Sequence, residues 1–215
     1  MRLLDPLPST SQNITIDSVP LHKIDRATLR QRIIAVPQDA VFLPDGTSIK
    51  TNLDPSGVAS DDECLDVIRA VELAGFVGDR GGLEAGLTAD TLSAGQKQLF
   101  SLGRAILRRR IRDRGDAASV DEKYAGRGRG GGILLLDEVS SSVDQDTDRA
   151  MQAVIQREFE GYTVVMISHR LDMVMGFDSV VIMDKGYVVE SGPPKVLVET
   201  EGSRFRELWL VQNKE

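Results

Sequence analysis

Cysteine is nearly absent from this sequence, and no long apolar run occurs in it. The one cysteine, Cys64, excludes a disulfide within the chain and is typical of a reducing compartment; its place in a helical pattern indicates a small core residue. No apolar run approaches the roughly 18 residues that a membrane-spanning helix needs. The first ten residues hold too short an apolar stretch for a secretory signal, so neither kind of segment is predicted.

An excess of basic residues is also lacking. Lys and Arg number 26 against 33 Asp and Glu, and the net charge of −7 argues against nucleic acid as a partner. The segment 110–132 is the exception, because it is rich in arginine and glycine, a composition that can bind RNA. Asp113, Asp116 and two further acids dilute its charge, and Tyr124 is its single aromatic residue. We therefore expect a flexible surface insertion there, not a nucleic-acid-binding arm.

Apolar runs and amphipathic segments alternate along the rest of the chain. This alternation predicts an α/β fold with a largely parallel sheet flanked by helices. Two of the runs, 133–137 and 162–168, are continuous enough to predict strands buried on both faces. The other predicted strands are 13–19, 32–38, 179–184 and 187–190, and the predicted helices are 26–32, 60–74, 93–110, 145–159, a short one after 169, one from 193 and one around 205–209.

Three predicted strands end in residues with chemical capacity, namely Gln38, the pair Asp137–Glu138, and His169. In open α/β sheets, ligands lie beyond the carboxyl ends of the strands. An aspartate can hold Mg²⁺ through water, a second carboxylate can deprotonate an attacking water, and an imidazole can contact a terminal phosphate. A glutamine can direct its amide oxygen to a metal and its nitrogen to water. Polar residues at strand ends are common, but three chemical types together favour a nucleotide-hydrolysing site.

The start of the predicted helix at residue 93 is a further candidate. Ser93 and Gln96 have the spacing of a capping box, and Gly95 allows close backbone approach. Backbone N–H groups and the helix dipole favour an anion at such a terminus. An ordinary capped helix has the same spacing, which by itself favours that simpler interpretation.

Four strings in this order resemble the motifs of ATP-binding cassette (ABC) ATPases: VPQD at 36–39, LSAGQKQLFSLGRAIL at 92–107, ILLLDEVSSSVD at 133–144 and ISHRL at 167–171. They are similar to the Q-loop, the signature motif with its helix, the Walker B strand with D-loop, and the switch-histidine loop. NLDP at 52–55 and VVIMDKGYVVESGPP at 180–194 further resemble the second nucleotide-binding domain of C-subfamily, multidrug-resistance-associated transporters. The resemblance implies a P-loop NTPase-like fold, with a helical signature subdomain at about 55–110 and the Walker B, D-loop and switch-histidine part at 133–215.

The resemblance also implies roles for the strand-end residues. Asp137 would be the magnesium-associated aspartate, and Glu138 the general base. Gln38 would contact both the metal and the attacking water, and His169 would contact the terminal phosphate. The implied cofactors are ATP and Mg²⁺.

A second set of residues is implied to act across a dimer. Ser93, Ala94, Gly95 and Gln96 would contact a nucleotide held by the opposite domain of a head-to-tail sandwich, and Asp144 would lie at the seam. Ala94 departs from the family pattern, in which glycine is usual at this position.

One family motif does not occur in the sequence, the phosphate-binding string G-x-x-x-x-G-K-[S/T]. The resemblance implies that Met1 falls inside the family's first helix, so that the preceding strand, the phosphate loop and an adenine-stacking aromatic lie outside this chain. We therefore expect negligible ATP affinity at the chain's own site. We also expect exposed sheet edges and apolar faces, and hence poor solubility of the isolated chain.

The expected function is that of the ATP-hydrolysing part of an ABC exporter, partnered by a second nucleotide-binding domain and by transmembrane domains at the cytoplasmic face of a membrane. One alternative is a non-catalytic module that lends its signature motif to a partner's ATP site. Another is a cassette ATPase that works on DNA or ribosomes, which the absence of a predicted coiled coil or basic arm disfavours. The transported substrate does not follow from these residues.

Overall fold

The computed structural model describes residues 14–118, 131–139 and 143–213. Residues 2–7, where Pro6 and Pro8 predict the end of a helix, lie outside them, as do residues 119–130 of the glycine-rich segment. The strands are β1 (Thr15–Ile16), β2 (Val19–Pro20), β3 (Ile33–Val36), β4 (Ile133–Asp137), β5 (Thr163–Ile167), β6 (Val180–Asp184) and β7 (Tyr187–Gly192). The helices are α1 (Arg26–Arg32), α2 (Ile49–Leu53), α3 (Asp61–Ala70), α4 (Ala74–Gly78), α5 (Ala94–Ala118), α6 (Gln145–Glu158), α7 (Leu171–Val174), α8 (Pro194–Glu199) and α9 (Arg204–Gln212).

The centre of the fold is a parallel sheet of three strands in the order β3–β4–β5. Val36 lies opposite Leu136, and Leu136 lies opposite Met166 in the neighbouring strand. All three strands therefore end at the same edge of the sheet, and the predicted α/β architecture is confirmed. β6 and β7, predicted as strands, form an antiparallel hairpin that turns through Lys185 and Gly186, which both have positive φ.

The two faces of this sheet are covered unequally. On one face, Leu134 and Leu136 are buried in the main core together with apolar residues of α3, α5 and α6. On the other face, α1 and the β1–β2 hairpin form a smaller cluster that reaches β3 and β4 only. Val165 and Ile167 of β5 remain 48% and 57% exposed there. The prediction that 162–168 is buried on both faces is therefore wrong for the described part of the chain, although the expected exposed apolar face is found.

The main core lies between the sheet and the helices α3, α5 and α6. Cys64 of α3 is fully buried in this core, as predicted, and burial raises the pKa of its thiol. Ser60 and Glu63, whose spacing in the sequence is that of a capping box, form one at the start of α3, with N–H to side-chain distances of 3.2 and 2.8 Å.

Two local predictions are wrong. The segment 13–19, predicted as one strand, contains the β1–β2 hairpin instead, because Asp17 and Ser18 both adopt positive φ, as a tight type I′ turn requires. The stretches around 39–59 and 75–90, where proline and glycine predict irregular loops, contain α2 and all of α4 except its first residue.

The predicted insertion at 110–132 begins as a helix, because α5 continues to Ala118. Contacts with other elements account for this extension. Arg114 Nη1 lies 2.7 Å from Glu63 Oε1 of α3, and Arg110 Nη2 lies 2.9 Å from Glu158 Oε2 of α6. Residues 110–118 contain one glycine, Gly115, and Ile111 packs against the main core, so the described part of the helix precedes the glycine-rich part of the segment. Among the described residues, no helix is both long and apolar enough to cross a bilayer.

Candidate active site

The side chains of Gln38, Glu138 and His169 meet at the carboxyl ends of β3, β4 and β5. Gln38 Nε2 donates to Glu138 Oε2 at 3.0 Å. His169 Nε2 lies 2.9 Å from Glu138 Oε1, so that each carboxylate oxygen has its own partner. The His169 side chain is 82% exposed and that of Glu138 is 21% exposed. Three residues from distant parts of the sequence therefore form one cluster, as their strand-end positions predict.

Glu138 occupies an unusual backbone conformation. Its φ is +48°, in the left-handed region that non-glycine residues seldom adopt. Its N–H donates to the carbonyl of Ile167 at 3.0 Å, which ties the end of β4 to the end of β5. This conformation turns the chain out of the strand directly after Asp137 and directs the Glu138 side chain toward Gln38 and His169.

The loop that carries Gln38 is held by the signature helix α5. Gln98 Nε2 donates to the Gln38 carbonyl at 2.5 Å. Arg104 donates to the carbonyls of Val41 and Asn52, and its guanidinium lies 5.0 Å from the ring centroid of Phe42. Burial lowers the pKa of Arg104 to about 10. Two side chains of α5 thus fix the backbone of this loop.

Asp137 ends β4 with an exposed side chain, and Gln38 is also exposed. Among the described residues, no group of three or more His, Cys, Asp or Glu side chains could hold a metal ion. Mg²⁺ in nucleotide sites keeps several waters and takes few protein oxygens, the remainder coming from phosphates. The side-chain oxygens of Asp137 and Gln38 fit such a site, in which waters and phosphates supply most of the ligands. They are too few for a site in which the protein supplies all of the ligands.

The residues of the signature motif form a separate cluster at the start of α5. Ser93 and Gln96 make the predicted capping box: Gln96 N–H donates to Ser93 Oγ at 3.1 Å, and Ser93 N–H donates to Gln96 Oε1 at 3.0 Å. Ser93 and Ala94 are exposed, whereas Gly95 is buried. A Cβ atom at Gly95 would lie 2.9 Å from Thr147 Cγ2, so a side chain there would collide with α6.

Asp144 lies beside this cluster as the N-cap of α6. Its side chain accepts from Thr147 N–H at 3.0 Å and from the Thr147 hydroxyl at 2.7 Å. These two hydrogen bonds hold the pKa of Asp144 below its usual range. Thr147 therefore lies between Gly95 and Asp144 and links the start of α5 to the start of α6.

The sequence reasoning missed the residues that support the site. Arg170 Nη2 lies 3.3 Å from Asp148 Oδ2, so the switch-histidine loop is tied to the first turn of α6. Asp148 is buried, and burial raises the pKa of its carboxyl although Arg170 acts in the opposite direction. The spacing of Asp144, Thr147 and Asp148 at i, i+3 and i+4 is the one local signal that could have indicated a shared helix face.

Comparison with known proteins identifies the family. Residues 1–111 of the 215 match the family described as ABC transporter. This chain belongs to the ABC transporter family. The family-level resemblance of its motifs is thereby confirmed, and the assignment to the C subfamily stays a prediction.

Two curated fungal relatives of this ABC transporter chain match nearly all of it. "ABC transporter FGM5" of Gibberella zeae is 57% identical over 215 residues, which are 100% of this chain and 14% of that protein. "ABC-type transporter braE" of Annulohypoxylon truncatum is 58% identical over 211 residues, 98% of this chain and 14% of that protein. The chain thus spans about one seventh of the length of these relatives.

A solved structure supports the fold. A bacterial Atm1-family ABC exporter with ATP bound superimposes with a TM-score of 0.75 over 94% of this chain and 32% of its own, at 23% identity. The chain therefore has the α/β fold of an ABC nucleotide-binding domain, with a parallel sheet and flanking helices.

Proposed function

We propose that this chain is the ATP-hydrolysing part of the nucleotide-binding domain of an ABC exporter, of the C-subfamily, multidrug-resistance-associated type. The observation that carries the proposal is the carboxylate of Glu138, held between Gln38 Nε2 at 3.0 Å and His169 Nε2 at 2.9 Å beyond three parallel strands. The exporter-like strings at 167–172 and 184–192 argue against a cassette ATPase that works on DNA or ribosomes.

Each residue of the cluster has a chemical task in this proposal. Glu138 accepts the proton of the attacking water, and Gln38 orients that water through its amide. The imidazole of His169 contacts the terminal phosphate. Asp137 and Gln38 would hold Mg²⁺, whose positive charge offsets the charge of the phosphates. The remaining protein contribution is a fixed geometry, which the bonds from α5 to the Gln38 loop supply.

ATP binding in this proposal needs groups beyond these residues. The sequence contains no phosphate-binding string, so Glu138 and His169 complete a phosphate site that they do not form by themselves. Ser93, Ala94 and Asp144 are exposed, which suits a nucleotide held by a second domain in a head-to-tail sandwich. The further partners are the transmembrane domains of the exporter, at the cytoplasmic face of a membrane.

The proposed arrangement within the chain is a helical signature subdomain at about residues 55–110, followed by the Walker B, D-loop and switch-histidine part from 133. α5 connects the two parts, because its start carries Ser93 and its later turns pack against β3 and α6.

The test is the rate of phosphate release by the full-length protein that contains this segment. Replacing the general base by Glu138→Gln should lower kcat by roughly 10²- to 10⁴-fold, the usual contribution of such a group. Glu160→Gln, a change of the same kind at an exposed residue, is the matched control and should retain the wild-type rate. An undiminished rate for Glu138→Gln would overturn the proposal.

A second candidate is a non-catalytic module that completes a partner's ATP site, and the exposure of Ser93 and Ala94 favours it. Mixing the chain with an intact partner domain separates the two functions. If turnover in the mixture depends on Ser93 but is the same with Glu138→Gln, the chain acts as a pairing module. If both changes abolish the turnover gained by mixing, the chain contributes its own hydrolytic residues.

A further inference from the structure

The loop that carries His169 is tied to the last turn of the chain's C-terminal helix. Gln212, the final residue of α9, donates from Nε2 to the His169 carbonyl at 3.1 Å. Its Oε1 accepts from the N–H of Leu171 at 2.8 Å. One side-chain amide therefore binds the backbone on both sides of Arg170.

The ring of His169 has little else to fix its direction. Its side chain is 82% exposed, so packing does not select its rotamer, and its polar contact in the described structure is the one with Glu138 Oε1. The orientation of such a side chain depends on the backbone that carries it. That backbone is held by the two hydrogen bonds from Gln212, together with the turn closed by Ser168 Oγ and Arg170 N–H at 3.0 Å.

We propose that Gln212 is a positioning residue for hydrolysis, which holds His169 in place against Glu138 by binding the His169 carbonyl and the Leu171 N–H. This proposal rests on the proposed function, because it assumes that His169 acts on the terminal phosphate. In this proposal α9 supports the site through Gln212, although no side chain of α9 contacts the reacting atoms.

A purely structural role for Gln212 would be to anchor α9, but other residues already do so. Phe205 is buried, and its N–H donates to Glu190 Oε2 at 2.8 Å. Ser203 caps the helix, with its Oγ accepting from Arg206 N–H at 3.2 Å. Gln212 is exposed, so shortening its side chain leaves no cavity. α9 should therefore stay folded and docked when the Gln212 amide is removed.

The experiment measures ATP hydrolysis by the full-length protein that contains this segment. Gln212→Ala should lower kcat by about threefold to tenfold, the scale of one or two exposed hydrogen bonds, and should leave KM for ATP unchanged. Gln212→Met, which keeps the length of the side chain and loses both bonds, should behave in the same way. Asn213→Ala is the matched control, because Asn213 Nδ2 bonds only to Trp209 of its own helix among the described residues.

A double variant shows whether Gln212 acts through His169. In the background of His169→Ala, the further change Gln212→Ala should have no effect on kcat. If Gln212→Ala instead damaged the protein in an unrelated way, it would lower kcat by the same factor in both backgrounds. Hydrogen exchange at the Leu171 amide gives a readout besides activity. It should become faster in Gln212→Ala and stay unchanged in Asn213→Ala.

The outcomes separate this inference from the proposed function. If His169→Ala retains the wild-type kcat, the proposed role of His169 fails, and this inference fails with it. If His169→Ala lowers kcat but Gln212→Ala does not, or if the two losses multiply, the positioning role is refuted while the proposed function stands.

Discussion

Glu138 and Glu158 are two glutamates at opposite ends of the same sheet, since α6 runs back from the carboxyl end of β4 to the start of β5. Glu158 is the last residue of α6, and its side chain is 9% exposed. Its carboxylate lies among three guanidinium groups, at 3.1 Å from Arg109, 2.9 Å from Arg110 and 3.4 Å from Arg157.

Glu138 differs from Glu158 in its backbone conformation and in the partners of its carboxylate. Glu138 has a left-handed backbone, one neutral amide partner in Gln38, and one partner in His169 that is largely in solvent. A carboxylate at a helix C-terminus is opposed by the helix dipole, and at Glu158 the three cations compensate for this. The comparison teaches that the buried, fully paired glutamate stabilises the fold, while the strained and weakly paired one is available for chemistry.

The largest effect on stability is expected at Glu158. Glu158→Gln removes the charge that compensates Arg109 and Arg110 and should lower the free energy of unfolding by about 2–3 kcal/mol, less than for a fully buried pair because the arginines are partly exposed. Urea denaturation followed by circular dichroism, at low micromolar protein concentration, measures it. A cost no larger than that of the control Glu160→Gln would contradict this structural role.

The contact between Gly95 and Thr147 lies near the carboxyl ends of the parallel strands and should have the next largest effect on stability. Gly95→Ala should cost about 1–2 kcal/mol, because the new Cβ would lie 2.9 Å from Thr147 Cγ2. Thr147→Ser removes that methyl group and keeps the hydroxyl that donates to Asp144 at 2.7 Å. The double variant should therefore recover most of the lost stability in the same denaturation assay. If it recovers none, the collision is not the reason for glycine at this position.

The backbone conformation of Glu138 should have a smaller effect on stability, and here a glycine should be stabilising relative to an alanine. Glu138→Gly should be more stable than Glu138→Ala by about 1 kcal/mol, because glycine adopts a φ of +48° without the cost that alanine pays. Both variants lack the carboxylate, so the difference between their unfolding free energies isolates the backbone. Equal stabilities would mean that no strain is stored at the end of β4.

The smallest effect is a dependence on pH that belongs to Glu158. Burial alone would raise the pKa of this carboxyl, but Arg110 and Arg109 outweigh burial and hold the pKa below its unfolded value of 4.5. A lowered pKa contributes stability above the unfolded value and loses it as the pH falls through the folded value. The stability difference between the wild type and Glu158→Gln should thus be constant above about pH 6 and begin to shrink below about pH 4.5. A difference that grows in acid would reverse the assigned direction.

The clustering of Gln38, Glu138 and His169 was predictable because it follows from topology. Parallel strands end at one edge of a sheet, so the residues after β3, β4 and β5 had to come together once the strands were recognised. The capping boxes that begin α3 and α5 were predictable for a different reason: each bond joins residues three positions apart, as at Ser93 and Gln96.

Other features depend on what a segment contacts and could not be predicted locally. The same apolar pattern predicts burial for both faces of β5, yet one face is exposed at Val165 because α1 covers only β3 and β4. α5 continues past residue 110, where Ile111 packs against the main core and Arg114 pairs with Glu63 of α3.

By itself, the sequence determined the order of the main strands and helices, the chemical groups at the strand ends, and the family to which the chain belongs. All of these are encoded over a few neighbouring residues. Only the tertiary structure decided the positive φ of Glu138, the exposed face of β5 and the bond from Gln212 to the His169 loop. These arise from contacts between segments far apart in the chain, whose geometry is set by packing and not by local preference.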